Sequence, residues 1–448
     1  MNKQFISAGL MIIVLSISVI MLPQRYIRKI THIVTGFVFI NYFVNPEQCP
    51  LISALYPGIG LFIYLICLII PNFIFVPILL SKNNKPYPFE IITYFALVIA
   101  YPIFKCDHKF GMSLCALIGG DGLAGFSTYF KSKALPSNPQ KTILGVFLTL
   151  FGTIICQWFY GDINIFSALV ACLGESIPAI SDNFTITLLT YLSFYSPYKV
   201  FIMTILIHIS SFLMIKRKLT KNGAIISIFI LAFHLYVSYK ALLAFFGFGI
   251  LGVIASQFRK QKRLQIEKTI STELKLGRSA WQAFDNSIAS IICLIFYLIT
   301  KNEKFITASV AASAECLTDT FGSDLGCVLS NRTYHPITFR QVKTGINGGI
   351  SIEGTLSGFI GALIICMCVF VDYKGMREFW WIFFAAIIGS YSDSLIGMYL
   401  QYSGEYDNGV VTTPIDGSVS IGGINFFSNG AVNVVASFIS ALVIIIFY

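Results

Sequence analysis

Long apolar runs separated by short polar segments dominate this chain of 448 residues. A transmembrane helix needs roughly 17–25 mostly apolar residues, and many of the runs reach that length, while the longest can hold a helical hairpin. The pattern predicts an all-α polytopic integral membrane protein with about 11–14 transmembrane helices. The runs behind this prediction are 5–22, 51–80, 91–104, 143–159, 165–180, 198–215, 224–258, 284–300, 355–371, 379–400 and 429–447.

Composition supports the membrane class. Hydrophobic residues make up 56% of the chain, charged residues only 12%, and the mean hydropathy is +0.77. These values exclude a soluble globular protein. The 11 cysteines are scattered, without a Cys-x-x-Cys pair, which favours small buried residues over metal ligands or disulfides. The first run has no convincing cleavage site, so we expect a retained helix rather than a removed signal peptide.

The net charge of +10 is explained by topology rather than by nucleic acid, which we do not expect as a partner. Lysines and arginines gather in short loops between the runs, and by the positive-inside rule these loops face the cytoplasm. A nucleotide would therefore bind on the cytoplasmic side. The polar motifs before residue 220 are unrelated to those after it. We therefore expect two unrelated helical domains, 1–220 and 221–448.

Residues 119–125, Gly-Gly-Asp-Gly-Leu-Ala-Gly, carry the residue types of phosphate chemistry. Asp121 needs a partner because a charge inside a membrane is costly. Mg²⁺ suits it, since this ion takes one or two carboxylates together with phosphate oxygens and water. Lys141 offers a mobile positive charge, and glycines let a nucleotide approach the backbone, although they also let membrane helices pack closely. The predicted nucleotide-binding glycines are Gly120, Gly122 and Gly145.

Two further polar groups accompany Asp121. Arg28 and His32 lie four residues apart, and so on one face of a helix, just after the first run. Basic residues that flank a first span are the alternative. Glu175 stands close to a proline at the end of an apolar run. A charged residue without a functional role is unusual at such a position. We expect His32 to act as a general base. We expect Glu175 and Asp182 to be metal ligands beside Asp121.

A second polar group lies in the other half of the chain. Asp319 and Asp324 flank Gly322 and lie about 140° apart on a regular helix. If both are to hold one metal ion, we expect either that the helix unwinds at the glycine or that one carboxylate acts through a water molecule. Asp393 is polar inside an apolar run, where an interhelical hydrogen bond is the alternative. Lys343 precedes a glycine-rich run whose N–H groups can bind an anion. The expected nucleotide-binding residues are Gly345, Asn347, Gly348, Gly349, Ser351 and Gln401.

The polar positions of the first half resemble those of the dolichol kinase and phytol kinase family, which is related to the CDP-diacylglycerol synthases. The likeness covers about residues 20–215. It implies CTP-dependent, Mg²⁺-dependent phosphorylation of a long isoprenoid alcohol, with Arg28 and Lys29 among the nucleotide-binding residues. Residues 138–141 read Asn-Pro-Gln-Lys where cytidylyltransferases have Ser-Pro-x-Lys, which favours a kinase. The matching residues are Arg28, Lys29, His32, Gly120, Asp121, Ala124, Lys141, Thr142, Gly145, Glu175, Asp182 and Asn183.

The second half resembles a different family, the one that contains phytyl-phosphate kinase and uncharacterised transmembrane relatives. The likeness spans about residues 222–448 and implies a second phosphoryl transfer, with Asp319, Asp324, Asp393 and Lys343 in catalytic roles. Glu315 stands where that family has a small residue, which indicates a divergent member. Further matching residues are Arg278, Gln282, Asn286, Gly345, Asn347, Gly348, Gly349, Ser351, Gly389, Gly397, Gln401 and Asn433.

Together these patterns predict a membrane-bound prenol kinase that is bifunctional. It would convert an isoprenoid alcohol to the monophosphate with CTP and Mg²⁺ in the first half, and then to the diphosphate in the second. The partners would be the lipid substrate, a nucleotide and the bilayer. Two alternatives remain open at this stage: CDP-lipid synthesis from phosphatidate, and a transporter in which Asp319, Asp393 and Gln401 line a path through the membrane.

Overall fold

The computed structural model describes residues 107–177, 182–268, 277–369 and 376–448, together with Tyr94, Ala96, Leu97 and Ala100. Within these residues the protein is helical, with three small antiparallel sheets at the helix connections. The all-α membrane architecture is confirmed, while the predicted total of helices also depends on residues outside the described ranges. Six described helical stretches are long and apolar enough to cross a membrane: His108–Ser127, Ile143–Tyr160, Pro197–Ile215, Tyr239–Gln257, Met376–Leu400 and Asn429–Phe447.

The chain forms two compact units, Met1–Phe212 and Leu213–Tyr448. The described part of the first unit begins with a helix that continues through a π-helical turn and ends in a 3₁₀ turn. A short hairpin and four helices follow. Its elements are α1 (His108–Cys115), the π turn (Ala116–Asp121), a helical turn (Gly122–Ala124), the 3₁₀ turn (Gly125–Tyr129), β1 (Ala134–Leu135), β2 (Asn138–Thr142), α2 (Ile143–Tyr160), α3 (Ile165–Glu175), α4 (Asp182–Ser193) and α5 (Pro197–Ile215).

Side-chain caps and a glycine fix the ends of these helices. Asp107 accepts a hydrogen bond from the backbone N–H of Phe110 at 2.8 Å where α1 begins. Thr142 accepts one from the N–H of Gly145 at 3.1 Å where α2 begins. Both bonds satisfy N–H groups that have no partner within the first helical turn. α2 ends at Gly161, whose φ of +104° is a left-handed conformation that glycine adopts without strain.

The π turn packs directly on α2. A Cβ atom on Gly119 would collide with the backbone oxygen of Gly152, and one on Gly120 would lie 2.7 Å from Thr153 Oγ1. Small residues at such a crossing allow two helices to approach closely inside a membrane. Close helix packing therefore explains Gly120 without a bound phosphate.

The second unit is larger and is organised around one long helix, which the structure extends over 26 residues. Its elements are α6 (Lys221–Val237), α7 (Tyr239–Gln257), α8 (Lys260–Ile266), α9 (Ala280–Asp285), α10 (Ile288–Thr300), the long helix α11 (Lys304–Leu329), β3 (Thr333–Tyr334), β4 (Gln341–Val342), α12 (Ile352–Val369), α13 (Met376–Leu400), β5 (Ser403–Tyr406), β6 (Gly409–Val411), β7 (Val419–Gly422) and α14 (Asn429–Phe447).

α11 lies at the centre of this unit and packs against α7, α10, α12, α13 and α14. Its first half consists largely of small buried residues, including Ala308, Ala311 and Ala314. Small side chains bring the surrounding helices close to its axis. The predicted unwinding near Gly322 is wrong, because α11 is continuous from Lys304 to Leu329.

Glycines on α11 and α12 let these two helices approach closely. A Cβ atom on Gly326 would lie 2.8 Å from the Cα of Gly354, and one on Gly358 would lie 3.0 Å from the backbone oxygen of Thr318. A Cβ atom on Gly361 would likewise lie 3.0 Å from the backbone oxygen of Leu317. The glycines of this region therefore serve helix packing along about two turns of α12.

Candidate functional site

A cavity of about 930 Å³ lies inside the second unit. Walls come from α7, α8, α9, α11, α12, α13 and the start of α14, and the loop that precedes α12 also faces it. The volume falls in the range of small-molecule and cofactor sites, roughly 300–1,000 Å³. The lining is rich in charged, amide and glycine residues, which is unusual for the interior of a helical membrane protein and marks a functional site.

Carboxylates from two helices form one side of the cavity. Asp319 and Asp324 come from α11, and Asp393 comes from α13. The Oδ2 atom of Asp393 is buried and has no hydrogen-bond partner among the described residues. The structure therefore brings three of the predicted catalytic residues to one cavity.

Asp324 differs from the other two carboxylates because it is paired. Arg263 of α8 forms an ion pair with Asp324 and a second one with Glu267, at 3.0 Å between Nε and Oε2. Burial raises the pKa of Glu267, and Arg263 opposes that rise. A carboxylate that already binds a guanidinium is a weaker candidate for a metal ligand than Asp319 or Asp393. Arg263 had no role in the sequence-based prediction, and its distance of 61 positions from Asp324 explains why.

Glu315 lies one helical turn before Asp319 and is only 1% exposed. Neither of its carboxylate oxygens has a hydrogen-bond partner within the described part of the chain. Its side chain packs over α13, where a Cβ atom on Gly389 would lie 2.5 Å from the Glu315 Cγ. One feature of the sequence marks this residue: it is a glutamate within a run of small residues. That feature alone did not identify Glu315 as a site residue.

The loop before α12 presents its backbone to the cavity. Gly345 and Gly348 adopt φ angles of +97° and +71°. Residues other than glycine rarely adopt this backbone conformation. Asn347 holds the loop in place: its N–H donates to Ser403 Oγ at 2.9 Å and its Nδ2 donates to the Tyr402 oxygen at 2.7 Å. Ser351 Oγ accepts a hydrogen bond from the N–H of Gly354 at 3.0 Å. Asn347 and Ser351 thus have structural partners, while the loop backbone, with Gly349 and Gln401, lines the cavity.

Lys343, the cation predicted to be catalytic, does not belong to the cavity. Lys343 forms an ion pair with Glu405 at 2.5 Å and is not part of the cavity lining. Lys218, Arg217 and Arg278 line it instead. Lys218 Nζ donates to Gln257 Oε1 at 2.5 Å, and burial, followed by the repulsion of nearby Lys260, lowers the pKa of Lys218.

Arg278 is held rigidly at the cavity wall. Its guanidinium lies 5.5 Å from the ring centre of Phe248, and a Cβ atom on Gly252 would lie 2.8 Å from its Nη2. The backbone of Arg278 also exchanges hydrogen bonds with the segment before α6, since its N–H donates to the Lys218 oxygen at 2.9 Å and its oxygen accepts from Thr220 at 3.0 Å. These contacts place a fixed positive charge beside the cavity.

Three amide side chains continue the same wall. Gln282, Asn286 and Asn433 line the cavity. Asn433 Nδ2 donates a hydrogen bond to Asn286 Oδ1 at 2.9 Å, which ties α14 to the segment between α9 and α10. This group of three residues is the amide wall.

The first unit brings together some of its predicted residues. Lys141 Nζ lies 2.6 Å from Glu175 Oε1, and Asp121 is buried at the end of the π turn. Gly145 is explained by the cap of α2, since its N–H binds Thr142. Arg28, Lys29 and His32 lie outside the described residues. Asp182 begins α4, and its side chain is not described.

The described residues contain no group of three or more His, Cys, Asp or Glu side chains placed to hold a metal ion. Among the described side chains, Asp121 and Glu175 belong to no such group, and neither do Asp319 and Asp324. Mg²⁺ does not require such a group, because it binds through one or two carboxylates and takes its other ligands from phosphate and water.

The fold and the cavity define an integral, multi-pass membrane protein with a polar site inside its helices. The chain matches the family described as integral membrane protein DUF92 over residues 203–441, and it belongs to that family. The matched stretch includes every residue that lines the cavity. No solved structure matches the chain.

Several curated proteins are similar to this chain. An uncharacterized membrane protein of Methanocaldococcus jannaschii is 25% identical over 230 residues, which cover 50% of this chain and 93% of the relative. Protein PGR of Arabidopsis thaliana is 25% identical over 252 residues, or 49% of this chain and 86% of the relative. An uncharacterized membrane protein of Synechocystis is 32% identical over 122 residues, 25% of this chain and 46% of the relative.

These findings correct the family assignment made from the sequence. The resemblance to dolichol and phytol kinases, to CDP-diacylglycerol synthases and to phytyl-phosphate kinase is wrong, because the matching family is DUF92 and the relatives are uncharacterized membrane proteins and Protein PGR. Isolated polar positions in apolar sequence caused the error, since glycines, aspartates and lysines recur at helix ends for packing and topology as well as for chemistry.

Proposed function

We propose that the second unit is a magnesium-dependent phosphotransferase that moves a phosphoryl group from a nucleoside triphosphate to a membrane-held alcohol or phosphate. One observation carries the proposal: a single cavity combines the carboxylates Asp319 and Asp393, the cations Arg278 and Lys218, and the glycine-rich loop around Gly348. Phosphoryl transfer depends on positioning and on charge neutralisation, and these are the groups that supply both.

The carboxylates fit a magnesium ion. Asp393 has a buried oxygen without a partner among the described residues, and Asp319 faces the same cavity. Two carboxylates, with phosphate oxygens and water, satisfy the usual requirements of Mg²⁺. When bound, the ion would neutralise charge on the phosphate oxygens.

The remaining lining residues have complementary roles. Arg278 and Lys218 stabilise negative charge on the transferred group and the donor phosphates. The backbone around Gly345 and Gly348 binds phosphate oxygens through N–H groups. Arg263 keeps Asp324 and Glu267 neutralised as a structural unit, so that these carboxylates do not repel the nucleotide.

The acceptor is proposed to be a long-chain isoprenoid alcohol such as phytol or geranylgeraniol, or its monophosphate, with CTP as the first donor to test. Support comes from the setting: three helices that line the cavity, α7, α13 and α14, are long and apolar enough to cross a bilayer, so an acceptor with a long apolar tail can remain in the membrane while its polar head reaches the charged groups.

An Asp393→Asn variant tests the proposal. Membranes that contain the full chain receive radiolabelled phytol or geranylgeraniol with CTP or ATP and Mg²⁺, and lipid products are separated by thin-layer chromatography. We expect the parent to form lipid diphosphate and the variant to form diphosphate at least ~100-fold more slowly, because a preorganised charge at the transferring group is lost. No described residue donates a hydrogen bond to the buried Asp393 Oδ2, so the substitution breaks no known contact of that atom.

Asp416→Asn is the matched control, since it makes the same change at an exposed aspartate that is outside the cavity lining, and it should keep the parent rate. Absence of any phosphorylated lipid with every nucleotide tested would refute the proposal. Release of pyrophosphate with a CDP-lipid product would show that the protein is a nucleotidyltransferase and not a kinase.

Glu315 favours one second candidate, an ion or substrate transporter. A buried carboxylate without a hydrogen-bond partner among the described residues, beside Asp319 and Asp393, is a feature of ion paths through membrane proteins. Reconstituted vesicles distinguish the two functions. Flux that needs no nucleotide and disappears in Glu315→Gln would support transport over phosphotransfer.

A further inference from the structure

The amide wall has hydrogen-bonding capacity that the fold does not use. The bond from Asn433 Nδ2 to Asn286 Oδ1, at 2.9 Å, leaves the Nδ2 donor of Asn286 and the Oδ1 acceptor of Asn433. Within the described residues the structure shows no other hydrogen bond of either atom, and both residues line the cavity. If both amides were turned over, the pair would still present one donor and one acceptor.

A donor beside an acceptor is the arrangement that side-chain amides use to read the edge of a nucleobase. Bases also need flat surfaces for their faces. Phe427 lines the cavity just before α14 and offers an aromatic ring for stacking. Stacking on aromatic rings is a common means of holding a base.

We propose that the amide wall is the nucleobase subsite of the cavity, in which Asn286 and Asn433 bind the hydrogen-bonding edge of the base. This inference rests on the proposed nucleotide-dependent phosphotransfer and assigns the donor's base to a particular wall. The carboxylates Asp319 and Asp393 and the loop at Gly348 then take the phosphate end.

Asn286→Asp tests the subsite with little structural change. The aspartate keeps an oxygen that can accept the hydrogen bond from Asn433 Nδ2 and removes only the free donor. The measurement is equilibrium binding to the purified full chain with Mg²⁺, for CTP, ATP, GTP and UTP, and for inorganic tripolyphosphate as a probe without a base. The added negative charge weakens all five probes alike, so the informative quantity is the affinity of each nucleotide relative to tripolyphosphate.

We expect the parent to bind its preferred nucleotide more tightly than tripolyphosphate, and Asn286→Asp to reduce that ratio by about ten-fold or more, with a changed order of preference among the bases. Asn302→Asp is the control, because it adds the same charge in an exposed loop and should leave every ratio unchanged. A ligand-free thermal unfolding scan confirms that both variants are folded.

Two results would overturn the inference. One is a parent that binds no nucleotide more tightly than tripolyphosphate. The other is an equal change for all probes in Asn286→Asp, which would make the amide pair a structural tie between α14 and the start of α10. Base-dependent binding without phosphorylated lipid would retain the subsite and refute the phosphotransferase, so the two proposals fail separately.

Discussion

At the residue scale, the buried charges of the second unit fall into two kinds. Arg263 neutralises Asp324 and Glu267 through ion pairs, whereas Glu315 and one oxygen of Asp393 have no partners among the described side chains. Buried charges usually require compensation. The first kind is a structural unit. Of the second kind, Asp393 lines the cavity, where a ligand can reach it.

Replacement of Arg263 by glutamine should therefore destabilise the protein strongly. Loss of one member of a buried ion pair typically costs about 3–5 kcal/mol, and here two carboxylates lose their partner. Chemical denaturation of the purified protein in detergent measures the free energy of unfolding. Arg332→Gln, at an exposed arginine, provides the comparison and should change that free energy by less than about 0.5 kcal/mol. Equal stabilities of the two variants would contradict a structural role for the ion pairs.

The sequence predicted the carboxylates of this site better than its cations. Asp319 and Asp393 are unusual in apolar surroundings, and that cost makes them visible in the sequence. Arg278 and Lys218 are ordinary loop cations by the positive-inside rule. The parallel pairing of Leu219 with Arg278 brings those two segments together in the fold, although they are distant in the sequence. Lys343 had the same sequence signal and instead binds Glu405.

At the element scale, apolar length located the lipid-facing helices but not the central one. The runs 198–215 and 429–447 correspond closely to α5 and α14, and the run 224–258 divides into two helices at Ser238. α11 was not marked as a span, because its alanines, serines and glycines make it only weakly hydrophobic. Protein surrounds this helix, so packing rather than lipid solvation selects its residues.

The glycine contact between α11 and α12 gives a direct test of this packing. Gly326→Ala should destabilise the protein by about 1–3 kcal/mol, because the new Cβ would lie 2.8 Å from the Gly354 Cα. Gly249→Ala is the matched control, as a Cβ atom there meets nothing within 4 Å, and alanine's higher helix propensity should leave stability unchanged or raised by up to about 1 kcal/mol. Thermal unfolding in detergent compares them. Tolerance of both substitutions would mean that the two helices can separate without cost.

At the scale of the whole molecule, two units in one chain agree with two successive reactions. A monophosphate that stays in the membrane near a linked second site benefits from a high effective concentration. The sequence-based prediction gives the first transfer to the first unit, where Asp121 and the Lys141–Glu175 pair are the expected groups; the cavity is the site that we propose for the second.

Product analysis separates the two proposed steps. With labelled geranylgeraniol, CTP and Mg²⁺, Asp319→Asn should accumulate monophosphate, and Asp121→Asn should form no product from the alcohol. Asp121→Asn should still form diphosphate when the monophosphate is supplied directly, because its second unit is unchanged. Diphosphate made from the alcohol by Asp121→Asn would contradict the order of the reactions.

The hydrogen bond between Asn286 and Asn433 also has a consequence for biosynthesis. The two residues are separated by 147 positions, which a ribosome working at 5–20 residues per second needs roughly 7–30 s to translate. During that interval Asn286, which follows α9, lacks its hydrogen-bond partner Asn433 on α14. The site can assemble only after α14 has entered the bilayer, so a nascent chain passes through most of its membrane insertion without a finished binding site.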